Sequence, residues 1–354
     1  MRESDNSSIL RERVLAAIAN KTPLQIMGGN SKAFYGRSIQ AEPLFVTEHS
    51  GIIHYEPTEL VITARAGTPL TEIETALAAQ GQMLAFEPPH FGTTATLGGT
   101  VACGLSGSRR PYAGAVRDVV LGVRLLNGHG DIVKFGGEVM KNVAGFDVSR
   151  LQVGALGTLG VLLDISLKVL PCPETEITLC FEVKESEALK NMIAYGKKNL
   201  PLSAMCFDSE KLYLRLSGAE VAIAKVKQQL GGETLSFPDS DAFWLSVREQ
   251  QHPFFQHDLP LWRLSLAPAT SALNLSGKSF IDWGGALRWL KTEEKPATVF
   301  SLLQNLAGHA CLFRSATGCE FQPLTPELAK LHRNIKQAFD PHGIFNRGRL
   351  YLEM

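Results

Sequence analysis

Four glycine-rich runs crowd the first half of the chain: GGNS at 28–31, GTTATLGGTVACGLSG at 92–107, GGEVMKNVAG at 136–145 and GALGTLG at 154–160. Glycine loses the most conformational freedom on ordering, so such runs make poor helices and strands and read as loops, the 92–107 run as a loop with a short helix inside. A loop that bends sharply needs positive φ, and one that wraps an anion needs backbone N–H groups with no Cβ in front of them. Any single run is an ordinary turn. Several in one half of a chain, each beside an apolar strand, point to a nucleotide site whose loops hold a diphosphate without a Lys or Arg counter-ion.

The site is not a standard one. No GxGxxG follows a strand and opens a helix, as a Rossmann dinucleotide site requires. Gly277-Lys278-Ser279 imitates the end of a P-loop, but Ala272 stands where its first glycine belongs.

Around the glycine runs the pattern alternates strand and helix. Leu10, Val14 and Ile18 predict a helix over 8–19 that Pro23 ends, followed by a short strand at Leu24, Ile26 and Met27. After a β-rich run at 60–66, Thr68 is placed to cap a helix with Pro69 at its first position and Leu70, Ile73 and Leu77 as its buried stripe. Asn127-Gly128-His129-Gly130 is a hairpin signal between apolar runs at 119–126 and 132–135. Val161, Leu163, Ile165, Leu167 and Val169 alternate with polar residues, as a strand with one face on a core does. Pro171 and Pro173 mark a boundary. Beyond it, runs at 175–183, 185–198, 203–207, 212–217, 220–230 and 261–266 read βαββαβ, a ferredoxin-like antiparallel order, with 232–260 irregular or holding an insertion. Thr325-Pro326 opens a last helix whose Leu328, Leu331, Ile335 and Phe339 share a face. No internal repeat is apparent.

Composition narrows the class. The 354 residues exceed one hydrophobic core and predict two domains. Lys plus Arg and Asp plus Glu both number 35, so no basic excess suits a nucleic-acid partner. The six cysteines form no CxxC, leaving iron-sulfur or zinc ligation without support. With no apolar run of membrane length and a polar start, the chain reads as soluble and cytoplasmic.

Three stretches together carry a family resemblance: AGTPLTEIETALAAQGQMLAFEPP, TLGGTVACGLSGSRRPYAGAVRDVVLG and GGEVMKNVAGFDVSRLQVGALGTLGVLLDISLKVLP. They resemble the FAD-binding domain of the vanillyl-alcohol oxidase and p-cresol methylhydroxylase (PCMH-type) superfamily. The ending FDPHGIFNRGRL is similar to the FDPxGIxNPGK of its FAD-linked oxidases. IDWGGALRWL at 281–290 and the overall length resemble the FAD-binding subunits of bacterial glycolate oxidase (glycolate dehydrogenase). The resemblance implies an α+β fold: a two-part PCMH-type FAD-binding domain at 1–171, a ferredoxin-like antiparallel cap at 172–325, and a C-terminal helix and tail at 326–354 packing back on the first domain.

It also implies site residues. Gly28, Gly29, Asn30 and Ser31 would form the first FAD loop, and Thr93, Thr96, Leu97, Gly98, Gly99, Cys103, Gly104 and Gly107 the second or its flank. Pro88 and Pro89 would shape the approach to that second loop, and Gly157, Gly160 and Val161 would lie along the adenine half. Asn30 stands where members with covalent flavin carry histidine, so FAD is expected to be noncovalent. The implied partners are a second flavin subunit and an iron-sulfur subunit, through which the chain would reach the inner membrane peripherally, with a small 2-hydroxy acid as substrate and no nucleic acid.

Oxidising glycolate at a flavin needs a cationic carboxylate clamp and a base. Arg109, Arg110, Arg347 and Arg349 are clamp candidates, and His90, His309 and His342 base candidates; for each, a structural role is an equal or better reading. Lys141 and Asn142 stand between glycine turns, and Asn346 lies in the run that returns to the flavin in the family. Trp283 and Trp289 read as core or interface, and the lysines at 190, 197 and 198 as solvated surface. Related hydroxyacid dehydrogenases carry a HxGDGNxH-like run, matched here only by Gly308-His309-Ala310. Three readings stay open: the chain oxidises glycolate, relays electrons from a partner flavin, or serves as a non-catalytic scaffold.

Overall fold

The first helix spans Ser7–Asn20 and buries Leu10, Val14 and Ala17. It closes on Lys21 in the left-handed region, and the chain turns through Pro23 into β1 (Leu24–Met27). The computed structural model describes residues 4–137, 147–256 and 259–354. Two units emerge: one of Met1–Leu105, Ala115–Pro171 and Pro323–Met354, the other of Ser106–Gly114 and Cys172–Gln322.

In the first unit, β1 pairs in parallel with β2 (Glu42–Phe45). A separate five-stranded antiparallel sheet is built from β3 (Ile52–Glu56), β4 (Val61–Arg65), β6 (Val120–Leu126), β7 (Ile132–Gly136) and β8 (Val161–Lys168), in the order β3-β4-β8-β6-β7. Two residues of β5 (Gln82–Met83) pair with β9 (Leu170–Pro171). The 127–130 hairpin joins β6 to β7, and the Asn127 carboxamide accepts from the N–H groups of His129 and Asp131.

Strand β8 sits at the centre of its sheet, and this changes its polar face. Val161, Leu163, Ile165 and Leu167 are fully buried, as the alternation predicts. The opposite face is covered too: the Ser166 hydroxyl meets Thr63, and Asp164 pairs with Arg124 at 2.7 Å and with buried His49 at 3.2 Å. Covered polar groups find partners because leaving them unpaired would cost about 1–3 kcal/mol each.

One local expectation fails. Thr68 does not cap the helix Leu70–Ala78: its hydroxyl is turned to the backbone of Gly51, and Pro69 holds the cap position. On the last helix, Pro326–Phe339, Thr325 does cap, accepting from the Leu328 N–H. Its apolar face is split, with Leu328 and Leu331 about half exposed and Phe339 packed on the core, whereas Lys336 is 7% exposed. The carbonyl acceptors around that lysine, described below, determine which side faces in.

The second unit holds a nine-stranded sheet of β10 (Thr175–Glu182), β11 (Leu202–Phe207), β12 (Lys211–Gly218), β13 (Glu233–Thr234), β14 (Leu261–Ser265), β15 (Lys278–Asp282), β16 (Leu287–Lys291), β17 (His309–Arg314) and β18 (Glu320–Phe321). Their order is β13-β10-β12-β11-β15-β16-β14-β17-β18. The expected βαββαβ motif is present, but its fourth strand is the two-residue β13, not 261–266. Strand 261–266 begins a second motif. In chain order the first four strands lie 4-1-3-2 and the next four 2-3-1-4, so a ferredoxin-like topology occurs twice, edge to edge through β11 and β15. In the second copy an irregular segment at 266–277 replaces the first helix, and only Pro296–Asn305 remains. That loss, with no sequence similarity between the halves, hides the repeat. The stretch read as irregular contains a helix, Phe237–Arg248, whose Trp244 indole donates to Thr178.

Segment 106–114 joins this second unit through specific bonds. Ser108 donates to Asp282, Arg109 pairs with Glu176 at 2.5 Å, and the Trp283 indole donates to the Gly107 carbonyl. Among the described residues no helix is long and apolar enough to cross a membrane.

Candidate cofactor site

The first unit contains a cleft enclosing about 770 Å³, open solvent at its mouth included. Three glycine runs meet there. The 28–31 run leaves the end of β1, the helix Leu97–Cys103 carries the second run, and the 154–160 run leads into β8. Gly28, Gly29, Asn30, Ser31, Thr96, Gly98, Gly99, Cys103, Gly157 and Gly160 line the cleft.

The first two runs touch each other. The Thr94 hydroxyl donates to the Gly29 carbonyl at 2.5 Å. A Cβ on Gly29 would overlap the Thr94 carbonyl group, and one on Gly28 would stand 2.5 Å from the Thr96 hydroxyl oxygen. A Cβ on Gly98 would press on Ala66 at 2.7 Å. These three glycines are therefore required by the packing of protein on protein, a reason that sequence alone does not show. Gly99 differs: a Cβ there would meet only the Thr96 hydroxyl, at 3.2 Å.

The cleft fits an extended, anionic ligand. The backbone N–H groups of Gly28, Gly29, Asn30, Ser31 and Gly157 donate to no acceptor among the described residues. Asn30 has φ +59°, a conformation asparagine tolerates, which lets the loop curl its amides toward one side. Among the described residues no Asp or Glu lines the cleft, while Lys32 and Arg349 do. Lys32 is 6% exposed, and its ammonium donates to the His90 carbonyl at 3.2 Å. The amide-only cradle expected above is thus accompanied by two cations. Lys32, directly after GGNS, was the available signal.

Its apolar lining comes from Ile26, Met27, Val46, Ala66, Leu156 and Leu162. Sequence reasoning missed these because an apolar residue facing a cleft has the same pattern as one facing a core.

The C-terminal run braces the walls. Asn346 is buried and lines the cleft; its carboxamide donates to the Leu156 carbonyl at 2.6 Å and accepts from the Ile26 N–H at 2.8 Å. Arg349 donates to the carbonyls of Ala33, Tyr35 and Arg37, just beyond the first run. Lys336 donates to Thr158, Phe345 and Asp340, all at 2.7 Å. Burial lowers the Lys336 ammonium from its ordinary range, and Asp340 opposes that shift.

Several other candidates lie elsewhere. Leu97 is buried in the helix behind the cleft, Val161 is wholly buried in β8, and Gly104 caps the helix at φ +67°. Pro88 is buried away from the lining and Thr93 is exposed. Gly107 belongs to the second unit, as does Arg109, which Glu176 already holds. Arg110 stacks over Trp283 at 4.1 Å, and Trp289 packs on Phe313 at 5.0 Å. His90 pairs with Glu74 at 3.1 Å, while Arg347 and His342 are exposed. Burial, with Arg263 adding to it, lowers the pKa of His309. Lys141 and Asn142 lie outside the described residues.

Residues 5–136 match the family model described as an FAD binding domain. Over its full 354 residues the chain is 49% identical to glycolate oxidase subunit GlcE of Escherichia coli (strain K12), covering 100% of both. The chain belongs to the GlcE family of glycolate oxidase subunits. Shorter stretches match other enzymes, with 34% identity over 128 residues to glycolate oxidase subunit GlcD of Bacillus subtilis, spanning 36% of this chain and 27% of that one. D-lactate dehydrogenase of Anaerostipes hadrus is 32% identical over 142 residues, 40% of this chain and 30% of that one. Among solved structures, alkyldihydroxyacetonephosphate synthase aligns with TM-score 0.66 and 14% identity, over 95% of this chain and 74% of that one, a likeness of fold. The PCMH-type α+β fold expected from sequence is the fold observed.

Proposed function

We propose that this chain is a noncovalent FAD-binding subunit of a glycolate oxidase or dehydrogenase complex, oxidising glycolate to glyoxylate and passing the electrons to partner subunits. The observation that carries the reading is the cleft itself: among the described residues, unpaired amides from separate glycine runs, two cations and no carboxylate, in a chain similar over its whole length to a glycolate oxidase subunit. Gly28, Gly29, Asn30 and Ser31 would hold the diphosphate with Lys32 beside them, and Gly157 and Gly160 would lie along the cofactor. Gly104, Gly107, Val161, Pro88, Thr93 and Leu97 act, on this reading, by shaping the surrounding loops. FAD when bound supplies a two-electron acceptor, which glycolate oxidation requires.

The partners in this reading are a second flavin subunit and an iron-sulfur subunit, and any membrane association is peripheral, through them. A second version, electron relay without substrate oxidation, is favoured by one observation: the clamp and base candidates Arg109, Arg349 and His90 are each held by protein groups.

The visible absorption spectrum of the purified chain tests FAD binding; a colourless protein with no extractable FAD refutes it. Anaerobic mixing with glycolate then separates the versions. Bleaching of the isolated chain supports a self-contained site, and bleaching only in the assembled complex supports relay.

A further inference from the structure

Two consecutive residues of the cleft wall, Leu156 at φ +51° and Gly157 at φ +71°, are left-handed. Glycine accepts that conformation freely, but leucine is strained in it, and such strain persists only where surrounding groups over-determine the backbone. Here they do. The Leu156 N–H donates to the Ala102 carbonyl, its carbonyl accepts from Asn346, and two residues on Thr158 accepts from Lys336. A Cβ on Gly157 would stand 2.7 Å from the Asn346 carboxamide nitrogen, so side chain and turn fit each other closely.

A buried ammonium is a costly way to hold a core together, since an apolar side chain of similar size commonly does as well. Lys336 spends its three donors on three separate pieces: the cleft turn, the end of its own helix at Asp340, and Phe345, the residue before Asn346. Asp340 in turn accepts from the N–H groups of Ile344 and Phe345. The network therefore sets where Asn346 stands and, through it, the relation of the turn to β1, whose Ile26 N–H also binds Asn346. What it delivers to the cleft is the Gly157 N–H, which has no acceptor among the described residues.

Resting on the FAD reading above, we infer that Lys336 and Asn346 are positioning residues for the cofactor, holding the strained Leu156–Gly157 turn so that its amide is presented to FAD. The C-terminal run is then part of the cofactor site's framework although Lys336 does not itself line the cleft.

FAD titrated into the flavin-stripped full-length chain, followed by flavin fluorescence, tests this alongside the melting temperature and the visible circular dichroism of the bound flavin. Asn346→Ala and Lys336→Met should each weaken FAD binding about tenfold or more and alter the dichroism of the flavin that remains. Ile335→Val, on the same helix, should lower stability without changing either flavin readout. If Lys336→Met is too unstable to isolate, Lys336→Arg replaces it, because a guanidinium cannot reproduce three bonds from one nitrogen. FAD binding and dichroism like the wild type's in the Asn346 and Lys336 variants overturn the inference. Absence of FAD binding by the wild-type chain overturns the FAD reading instead.

Discussion

Gly29→Ala tests the claim that the first two glycine runs are shaped by each other. The added Cβ would overlap the Thr94 carbonyl oxygen outright and lie 2.5 Å from the carbonyl carbon. Carbon atoms in contact sit about 3.5–4.0 Å apart, so the two loops must part by roughly 1 Å or more. Neither neighbour is the far end of a flexible side chain, so the loops move as backbone. Overpacking of this kind costs about 1–3 kcal/mol, and the Thr94 hydroxyl bond to Gly29 adds about 1 kcal/mol if it breaks. If that strain is felt in the cofactor-binding conformation, about 2–4 kcal/mol corresponds to FAD binding weaker by about thirtyfold to a thousandfold. Fluorescence titration with FAD measures it. Gly196→Ala is the control: a Cβ there meets nothing within 4 Å, so FAD affinity should be unchanged. Gly29→Ala binding FAD within about threefold of wild type, with an unchanged melting temperature, would refute the loop-contact reasoning.

Gly99→Ala should separate ligand from fold, because its Cβ meets only a hydroxyl at 3.2 Å while the residue lines the cleft. Melting of the flavin-free chain should stay within about 1 kcal/mol of wild type while FAD affinity falls. Cys103 lines the cleft and Cys172 is exposed, so added FAD should slow alkylation of Cys103 and leave Cys172 unaffected in a mass-spectrometric time course. Cys180, which burial pushes up to about 11, should stay unmodified at neutral pH. In the second unit, burial acts to raise the Glu176 carboxyl, but Arg215 and Arg109 outweigh it and hold it below its usual 4.5. A depressed carboxylate contributes stability above its unfolded pKa and loses it as pH falls through the folded value. Glu176→Gln should therefore cost about 2–3 kcal/mol at pH 7, measured by urea unfolding, and that cost should fade in acid as the pH falls through the lowered folded value. An equal cost at pH 7 and in acid would contradict the ion-pair assignment.

The duplicated topology of the second unit shows where sequence reading stops. The runs at 175–183, 203–207 and 212–217 were recognisable because each alternates or clusters β-branched and apolar residues. Strand β13 was not, since Glu233–Thr234 has no apolar pattern and exists only because β10 offers it an edge. A strand made by its partner leaves no local signature.

Local chemistry, by contrast, was written plainly. The 127–130 hairpin, the apolar face of β8 and the Thr325 cap follow from turn residues, period-two alternation and a hydroxyl before proline, all of which act within a few residues. The glycine runs marked the loops for the same reason. Why the glycines must be glycine was decided elsewhere, by a Thr94 carbonyl sixty-five positions from Gly29. The last helix makes the same point in reverse. Leu328 and Leu331 on its apolar face stay about half exposed while Lys336 is buried, because the carbonyls of Thr158 and Phe345 and the carboxylate of Asp340 converge on that one position. Hydrophobic periodicity describes what a segment can bury; which face it buries depends on the acceptors and surfaces that the folded chain brings to it.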